Sequence, residues 1–340
     1  MGGVDVNLDF NLAAALVAII SFAIVAVSTG RLAKKMRWLG FVDKDANKPG
    51  TPLVPKMGGI SIVLGFVVAV LLALQLSSQV NTILLLAAIN TVVLISFLGL
   101  IDDMMNLRDR YRVLLPLFAA LPLMVVKAGT SVMDVPFLGD INFNLGVIYM
   151  PFNGPVELNL YLLVLVPIGV IASSNLINLL AGFNGLEAGI GVVVSATLAL
   201  ALLITGSSPE ALFLVMAMGG ACLGFLLYNW YPAKIFPGNI TTYAIGATVA
   251  AAVIIGNMEK IGVIALSPQI AEFFLKARTR FQAENFGRIG RDGRLSYDGK
   301  ISSLTHIVMR YTHPTEQELV LYLLGLQALA GAAAIASIYI

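Results

Sequence analysis

Residues 82–103 read TILLLAAINTVVLISFLGLIDD, an apolar run whose only charges are its last two residues, Asp102 and Asp103. An α-helix needs about 20 apolar residues to cross roughly 30 Å of hydrocarbon, and this run has that length. Working outward, runs of similar character occupy 10–28, 58–76, 82–101, 113–126, 158–174, 188–204, 211–228, 240–255, 261–275 and 319–340. Of the 340 residues, 58% are hydrophobic and 12% charged, against about 45–50% and about 25% in a soluble domain. The fold class expected is therefore an all-α polytopic membrane protein of about ten transmembrane helices, with small β-hairpin excursions in its loops. The runs 113–126 and 261–275 are short and contain Pro116, Pro122 and Pro268, so the pattern fixes the ends of these two least sharply.

The basic residues set an orientation. If ten helices alternate across the bilayer, 19 of the 21 Lys and Arg fall in odd-to-even connections, and only Lys127 and Lys260 fall on the other side. Positive charge concentrates in cytoplasmic loops, so those connections are expected inside and both termini outside. The first run lacks preceding Lys or Arg and a small-residue cleavage site, and reads as a retained helix. On the outer side, 129–157 alternates apolar and polar residues around Gly139-Asp140, as a small hairpin does. On the inner side, 276–318 is far longer than an ordinary connection, with Asp292-Gly293 as a tight turn. Without internal repeats, residues 1–340 read as one transmembrane domain, with 276–318 contributing to its active site.

Several polar groups invite chemistry. Adjacent carboxylates at a membrane boundary repel unless a cation or proton sits between them, so Asp102-Asp103 suggests a hard cation such as magnesium. The stretch 175–187, NLINLLAGFNGLE, contains no Lys or Arg, although it joins two helices on the basic side. Asn178 and Asn184 can offer carbonyl oxygens to a cation or amides to a base edge, and Gly182 and Gly185 allow close backbone approach. A Gly/Asn turn between helices explains that stretch equally well. Asn239 stands at a helix N-cap, where phosphate binds readily, and capping alone also accounts for it. Trp230 and Tyr231 read as interfacial anchors. His306 and His313 read as solvated or locally hydrogen-bonded, Cys222 as packing, and the Gly220/Gly224 pair as close helix packing, with a homodimer left open. No phosphate-binding loop of an ATP-driven pump is found, and no nucleic-acid partner is expected.

Taken together these segments resemble the polyprenyl-phosphate N-acetylhexosamine-1-phosphate transferase family over nearly the whole chain. Residues 99–112 look like its aspartate-pair segment and 175–189 like its Asn-rich loop. Lys48-Pro49-Gly50-Thr51-Pro52 with Met57-Gly58-Gly59 looks like its first cytoplasmic loop. AGFNGLEAG (181–189) and Asn229-Trp230-Tyr231-Pro232 are closest to the eukaryotic and archaeal branch that makes dolichyl-diphosphate N-acetylglucosamine. The bacterial muramoyl-pentapeptide branch has an Asp where Ala181 stands and a histidine cluster in the last loop, and neither is present.

The resemblance implies a Mg²⁺-dependent transfer of HexNAc-1-phosphate from a UDP-sugar to dolichyl or another polyprenyl phosphate, with UMP released. It would be the first membrane step of lipid-linked glycan synthesis, in an archaeal-type cell membrane in preference to endoplasmic reticulum. It assigns Asp102, Asp103, Arg112 and Lys48 to catalysis, and Asn184, Glu187, Arg278 and Arg280 to substrate. It assigns Asn178 and Asn239 to the metal. Many family members carry Asp at the position of Asn239, so the metal site is expected to be weaker here. The competing expectations are an ion-coupled transporter and a non-catalytic homologue of the family.

Overall fold

Apolar helices dictate the architecture, because in lipid every backbone polar group must find its partner inside its own segment. The structure is a computed structural model in which residues 10–48, 50–77, 80–135, 139–150 and 154–340 are described. Pro49 and Phe137, which belong to two of the segments read above, lie outside the described residues. The chain runs α1 (Phe10–Trp38), a hairpin of β1 (Val42–Lys44) and β2 (Leu53–Pro55), α2 (Gly59–Leu76) and α3 (Thr82–Met105). Next come α4 (Asp109–Ala119) and α5 (Leu121–Val125). Two antiparallel hairpins follow, β3 (Val132–Val135) with β4 (Gly139–Asn142) and β5 (Asn144–Met150) with β6 (Gly154–Asn159). A π-helical turn (Tyr161–Leu165) leads into α6 (Val166–Leu179), α7 (Leu186–Thr205), α8 (Pro209–Asn229) and α9 (Asn239–Gly256). After α10 (Glu259–Ala265) and α11 (Ser267–Ala277) the last loop holds β7 (Arg288–Ile289), β8 (Leu295–Ser296) and α12 (Leu304–Thr312), and α13 (Glu316–Ala336) follows.

Among the described residues, eight helical segments are long and apolar enough to cross a membrane. The other two expected spans are the proline-bearing ones, and each is broken. Pro122 opens α5 directly after α4 ends, and Pro268 stands in the first turn of α11 directly after α10. Both broken pairs still run from one side to the other. α4 begins beside Asp102, whereas Gly129, just past α5, lies against Tyr161 and the carbonyl of Ile254 near the far end of α9. α10 touches the β3 hairpin, and α11 touches α12 in the last loop. The ten crossings read from the sequence therefore match eight single helices and two broken ones.

α9 is the axis of the bundle. Of its residues 94% are buried, and it packs on α2, α3, α6, α7, α8 and α10. Its Ala, Gly and Thr side chains let neighbouring backbones come close, as small residues do between membrane helices. The Gly220/Gly224 pair is used the same way. Cβ atoms there would lie 2.2 Å from the carbonyl of Ala18 and 2.6 Å from that of Phe22, so the pair is filled by α1 of its own chain. Large apolar side chains such as Ile19, Val27, Phe97 and Leu329 point outward, as a surface facing lipid should. Cys222 is buried in this packing.

Candidate active site

α3 ends where α9 begins, and Gly99 makes the approach possible. A Cβ on it would lie 2.8 Å from the carbonyl of Asn239 and from the backbone of Ile240. Asp103, four residues on, then reaches the first turn of α9. Its Oδ1 accepts from the Asn239 N–H at 2.8 Å and its Oδ2 from the Ile240 N–H at 3.2 Å. Those N–H groups have no partner inside the helix, and a negative charge at a helix N-terminus is favourable. Gly238, at φ 75°, turns the chain into that first turn against the Asp103 carboxylate. Asp103 is thus a helix cap supplied by a neighbouring helix.

Asp102 is buried and differently engaged. Its Oδ1 accepts from the Leu107 N–H at 2.8 Å and from Arg112 Nε at 3.0 Å, and its Oδ2 accepts from Asn239 Nδ2 at 2.8 Å. Arg112 also donates to Asn106 Oδ1 at 2.9 Å. One turn along α9, the Thr242 hydroxyl lies 2.9 Å from Asn178 Oδ1 and 3.0 Å from the Asn239 carbonyl. Lys56 Nζ donates to the Asp103 carbonyl at 3.3 Å. Asp102, Asp103, Arg112, Asn178 and Asn239 therefore share one cluster, although 137 positions separate Asp102 from Asn239.

This donor set fits a hard cation. Asp102 Oδ2 accepts from a side-chain amide, and a half-turn of that amide would replace its N–H with an oxygen. Asn178 supplies another carbonyl oxygen. Among the described residues no three His, Cys, Asp or Glu gather to hold a metal, so amides and substrate phosphates would have to complete the coordination.

A second cluster ties together four separate segments. Lys48 pairs with Asp45, donates to Asn184 Oδ1 at 2.9 Å and to Glu316 Oε2 at 3.2 Å, and sits 4.6 Å above the Tyr231 ring. Asn184 is 3% exposed, and its amide is fully spent inside the protein. Its Nδ2 donates to Glu316 Oε1 at 2.8 Å and to Asp45 Oδ2 at 3.2 Å, while its Oδ1 also accepts from the Ala233 N–H at 2.6 Å. Its backbone N–H goes to Glu316 Oε1 at 2.8 Å. Glu187 Oε1 accepts from the Gly182 N–H at 2.9 Å, closing the Asn-rich loop on itself.

The other residues singled out from the sequence lie elsewhere. Arg278 and Arg280 are exposed at the end of α11, without a hydrogen bond or ion pair to either cluster among the described residues. Trp230 is no simple membrane anchor, since its ring packs under Gly185, where a Cβ would lie 2.7 Å from it. Tyr231 stacks beneath Lys48 rather than on lipid headgroups. His306 is not solvated. It is 1% exposed, stacked on Tyr297 with centroids 3.6 Å apart, and its Nδ1 accepts from the Ser302 N–H at 3.3 Å. Burial holds its pKa below the ordinary imidazole value, with Lys276 and Arg310 acting in the same direction.

Asp45, Thr242, Asn285 and Glu316 were missed by reading the sequence. Thr315-Glu316-Gln317-Glu318 does carry a visible signal, the Thr-x-x-Glu capping box, and the structure forms it at the start of α13. The box accounts for Thr315 and Glu318, not for Glu316.

The profile of glycosyl transferase family 4 matches residues 85–257, the stretch that carries Asp102, Asp103, Asn178, Asn184 and Asn239. The chain belongs to glycosyl transferase family 4. Full-length relatives extend the match. A Saccharolobus solfataricus protein provisionally named UDP-N-acetylglucosamine–dolichyl-phosphate N-acetylglucosaminephosphotransferase is 38% identical over 319 residues, 94% of each chain. The Dictyostelium discoideum protein of that name is 31% identical, with 84% of this chain and 78% of the relative covered. A phospho-N-acetylmuramoyl-pentapeptide-transferase of Desulforamulus reducens is 33% identical over a smaller share, 64% of each. For this family 4 chain, the longer coverage lies with the dolichyl-phosphate relatives, as the Asn-rich loop and the Asn229–Pro232 segment suggest.

Proposed function

We propose that this membrane transferase moves N-acetylglucosamine-1-phosphate from UDP-N-acetylglucosamine to dolichyl or a related polyprenyl phosphate, releasing UMP. The observation that carries the reading is the convergence of Asp102, Asp103, Arg112, Asn178 and Asn239 at one end of a lipid-facing bundle. A lipid phosphate must meet a soluble nucleotide there. The concentration of Lys and Arg in the loops at that end supports a cytoplasmic site with both termini outside, and the branch resemblance supports an archaeal-type cell membrane.

An oxygen of the acceptor phosphate attacks the phosphorus bearing the sugar, and the bond from that phosphorus to the bridging oxygen breaks. UMP leaves with the bridging oxygen. A phosphate monoester has its second pKa near about 6, so the acceptor is largely ionised at neutral pH and needs no strong base. The protein's work is to align and neutralise three phosphates. Asp102 would hold the acceptor end through Arg112, whose guanidinium it orients at 3.0 Å. Asp103 keeps the α9 N-terminus facing the phosphates. Lys48 would leave Asp45 and Glu316 for a phosphate oxygen, and Asn184, Glu187, Arg278 and Arg280 would bound the nucleotide sugar. Asp102, Asn178 and a turned Asn239 amide would hold Mg²⁺, which when bound would neutralise the diphosphate and the departing UMP. A homodimer would need a face other than Gly220/Gly224, which α1 fills.

The test is UMP release by the purified protein from UDP-N-acetylglucosamine, UDP-N-acetylgalactosamine and UDP-glucose, with dolichyl phosphate and Mg²⁺. Release that requires the lipid phosphate and favours N-acetylglucosamine is expected. No release, or release independent of the lipid, would overturn the reading.

A further inference from the structure

Asn285 joins two loops that the proposed reaction needs together. It is 7% exposed, and its Nδ2 donates to the carbonyls of Leu179 at 2.9 Å and Ala181 at 2.7 Å. α6 ends at Leu179, so the first is a carbonyl the helix leaves without a partner, and the second lies in the loop just beyond the C-cap. Both lie between Asn178 and Asn184. Two acceptors on one side fix the amide's orientation, because a flip would set oxygen against oxygen. Its Oδ1 is buried and has no partner among the described residues, a cost that leaves the two donated bonds as the reason for an amide at this position. Phe286 beside it lies 5.9 Å from the Phe183 ring and covers Gly182, where a Cβ would sit 3.0 Å from the ring.

The other side of Asn285 is held as firmly. Its carbonyl accepts from the Thr305 hydroxyl at 2.7 Å, in the first turn of α12. The neighbouring Leu304 N–H donates to Glu272 Oε2 at 2.7 Å, from a fully buried side chain of α11. A continuous set of neutral donors and one buried carboxylate thus runs from α11, through the start of α12, to the backbone between Asn178 and Asn184. Neither of the two charged clusters takes part in it.

We infer that Asn285 is a positioning residue, which sets the placement of Asn178 and Asn184 from the last loop without touching substrate. The inference rests on the reading that Asn184 bounds the nucleotide sugar and that Asn178 would hold the Mg²⁺ that neutralises its diphosphate. Misplacement of a positioned group by about 1 Å can cost up to roughly a hundredfold in rate. A residue that only supported the fold would not single out one substrate.

The variants are Asn285→Ala, Asn285→Asp, which keeps the shape but sets a carboxylate against the two carbonyls, and Thr305→Val, which removes the support behind. Each is assayed for UMP release with UDP-N-acetylglucosamine and dolichyl phosphate varied in turn, and for amide hydrogen exchange of 179–184. The expected result is a KM for the nucleotide sugar raised about tenfold in Asn285→Ala and more in Asn285→Asp, with the lipid KM within about twofold. Thr305→Val should move in the same direction by less, and exchange should quicken in 179–184 alone. Both KM values unchanged, both rising together, or exchange quickening throughout the chain would overturn the inference. If the wild type releases no UMP, the functional reading fails, while the exchange measurement, which needs no turnover, still decides the role of Asn285.

Discussion

The aspartate cluster and the Lys48 cluster stand at the same end of the bundle but are built differently. In the first, Asp103 is spent on the α9 N-terminus, and one Asp102 oxygen accepts from the side-chain amide of Asn239. In the second, Lys48, Asp45, Glu316 and Asn184 satisfy one another completely, drawing on the first loop, the Asn-rich loop and the start of α13. The first needs only an amide rotation to receive a cation. The second has to exchange internal partners for ligand ones. Readiness at one cluster and self-closure at the other suit an enzyme that admits a nucleotide by opening loops over a preformed phosphate end.

Removing a group from each cluster should break the comparison most sharply. Asp102→Ala should lower UMP release by about a thousandfold or more if, as proposed, the carboxylate serves the phosphates, and it should also cost stability, because it strips the partner from Arg112, the Leu107 N–H and Asn239. Asp103→Ala should lose activity and also about 1–2 kcal/mol of stability through the lost cap. Near wild-type UMP release from Asp102→Ala would remove the first cluster from the chemistry. An Asp103→Ala variant as stable as the wild type would deny the cap.

A smaller effect is expected from the self-closed cluster. Glu316→Ala leaves Lys48 with Asp45 and frees the Asn184 N–H groups, so the KM for the nucleotide sugar should rise by about tenfold, with kcat less affected. Glu316→Gln, which keeps an acceptor for Asn184, should recover part of it. Steady-state UMP release at varied UDP-N-acetylglucosamine measures both.

Asn239→Asp sharpens the first cluster further. A carboxylate in place of the amide that now donates to Asp102 should lower the Mg²⁺ concentration for half-maximal rate several-fold. Titrating both forms with Mg²⁺ at saturating UDP-N-acetylglucosamine measures it. Activity in the Asp form alone would mean that this chain is an inactivated enzyme, and activity in neither would mean a non-catalytic homologue.

The smallest effect concerns the last loop. His306 is held neutral by burial, so its folded pKa lies below the unfolded value, and the unfolded chain binds more protons in the window between them. Stability from this site is present above about pH 6.5 and is lost as the pH falls through the folded pKa. Limited proteolysis within 276–318 should therefore be faster at pH 5 than at pH 7.5, and His306→Gln should flatten that difference.

Sequence alone determined the transmembrane class, the approximate number of crossings and the presence of prolines in two short spans, which the structure shows broken near Pro122 and Pro268 while Pro116 stays inside α4. Hydrocarbon thickness and proline sterics act on contiguous residues, so such features are written locally. Asp102-Asp103 was also legible as a carboxylate pair at a membrane boundary, Asn178 and Asn184 as amides in a connection without Lys or Arg, and Asn239 as a polar residue at a helix start. Only the tertiary structure separated Asp103, a cap on α9, from Asp102, which faces the Asn239 amide. It alone revealed Glu316, Asp45 and Asn285, whose partners lie up to 268 positions away. Their roles are hydrogen bonds between distant segments, and composition or spacing does not encode which donor meets which acceptor. Gly99 is the joint between the two levels. In the sequence it is one more small residue in an apolar run, and in the folded bundle it is the contact that brings two carboxylates to the start of α9.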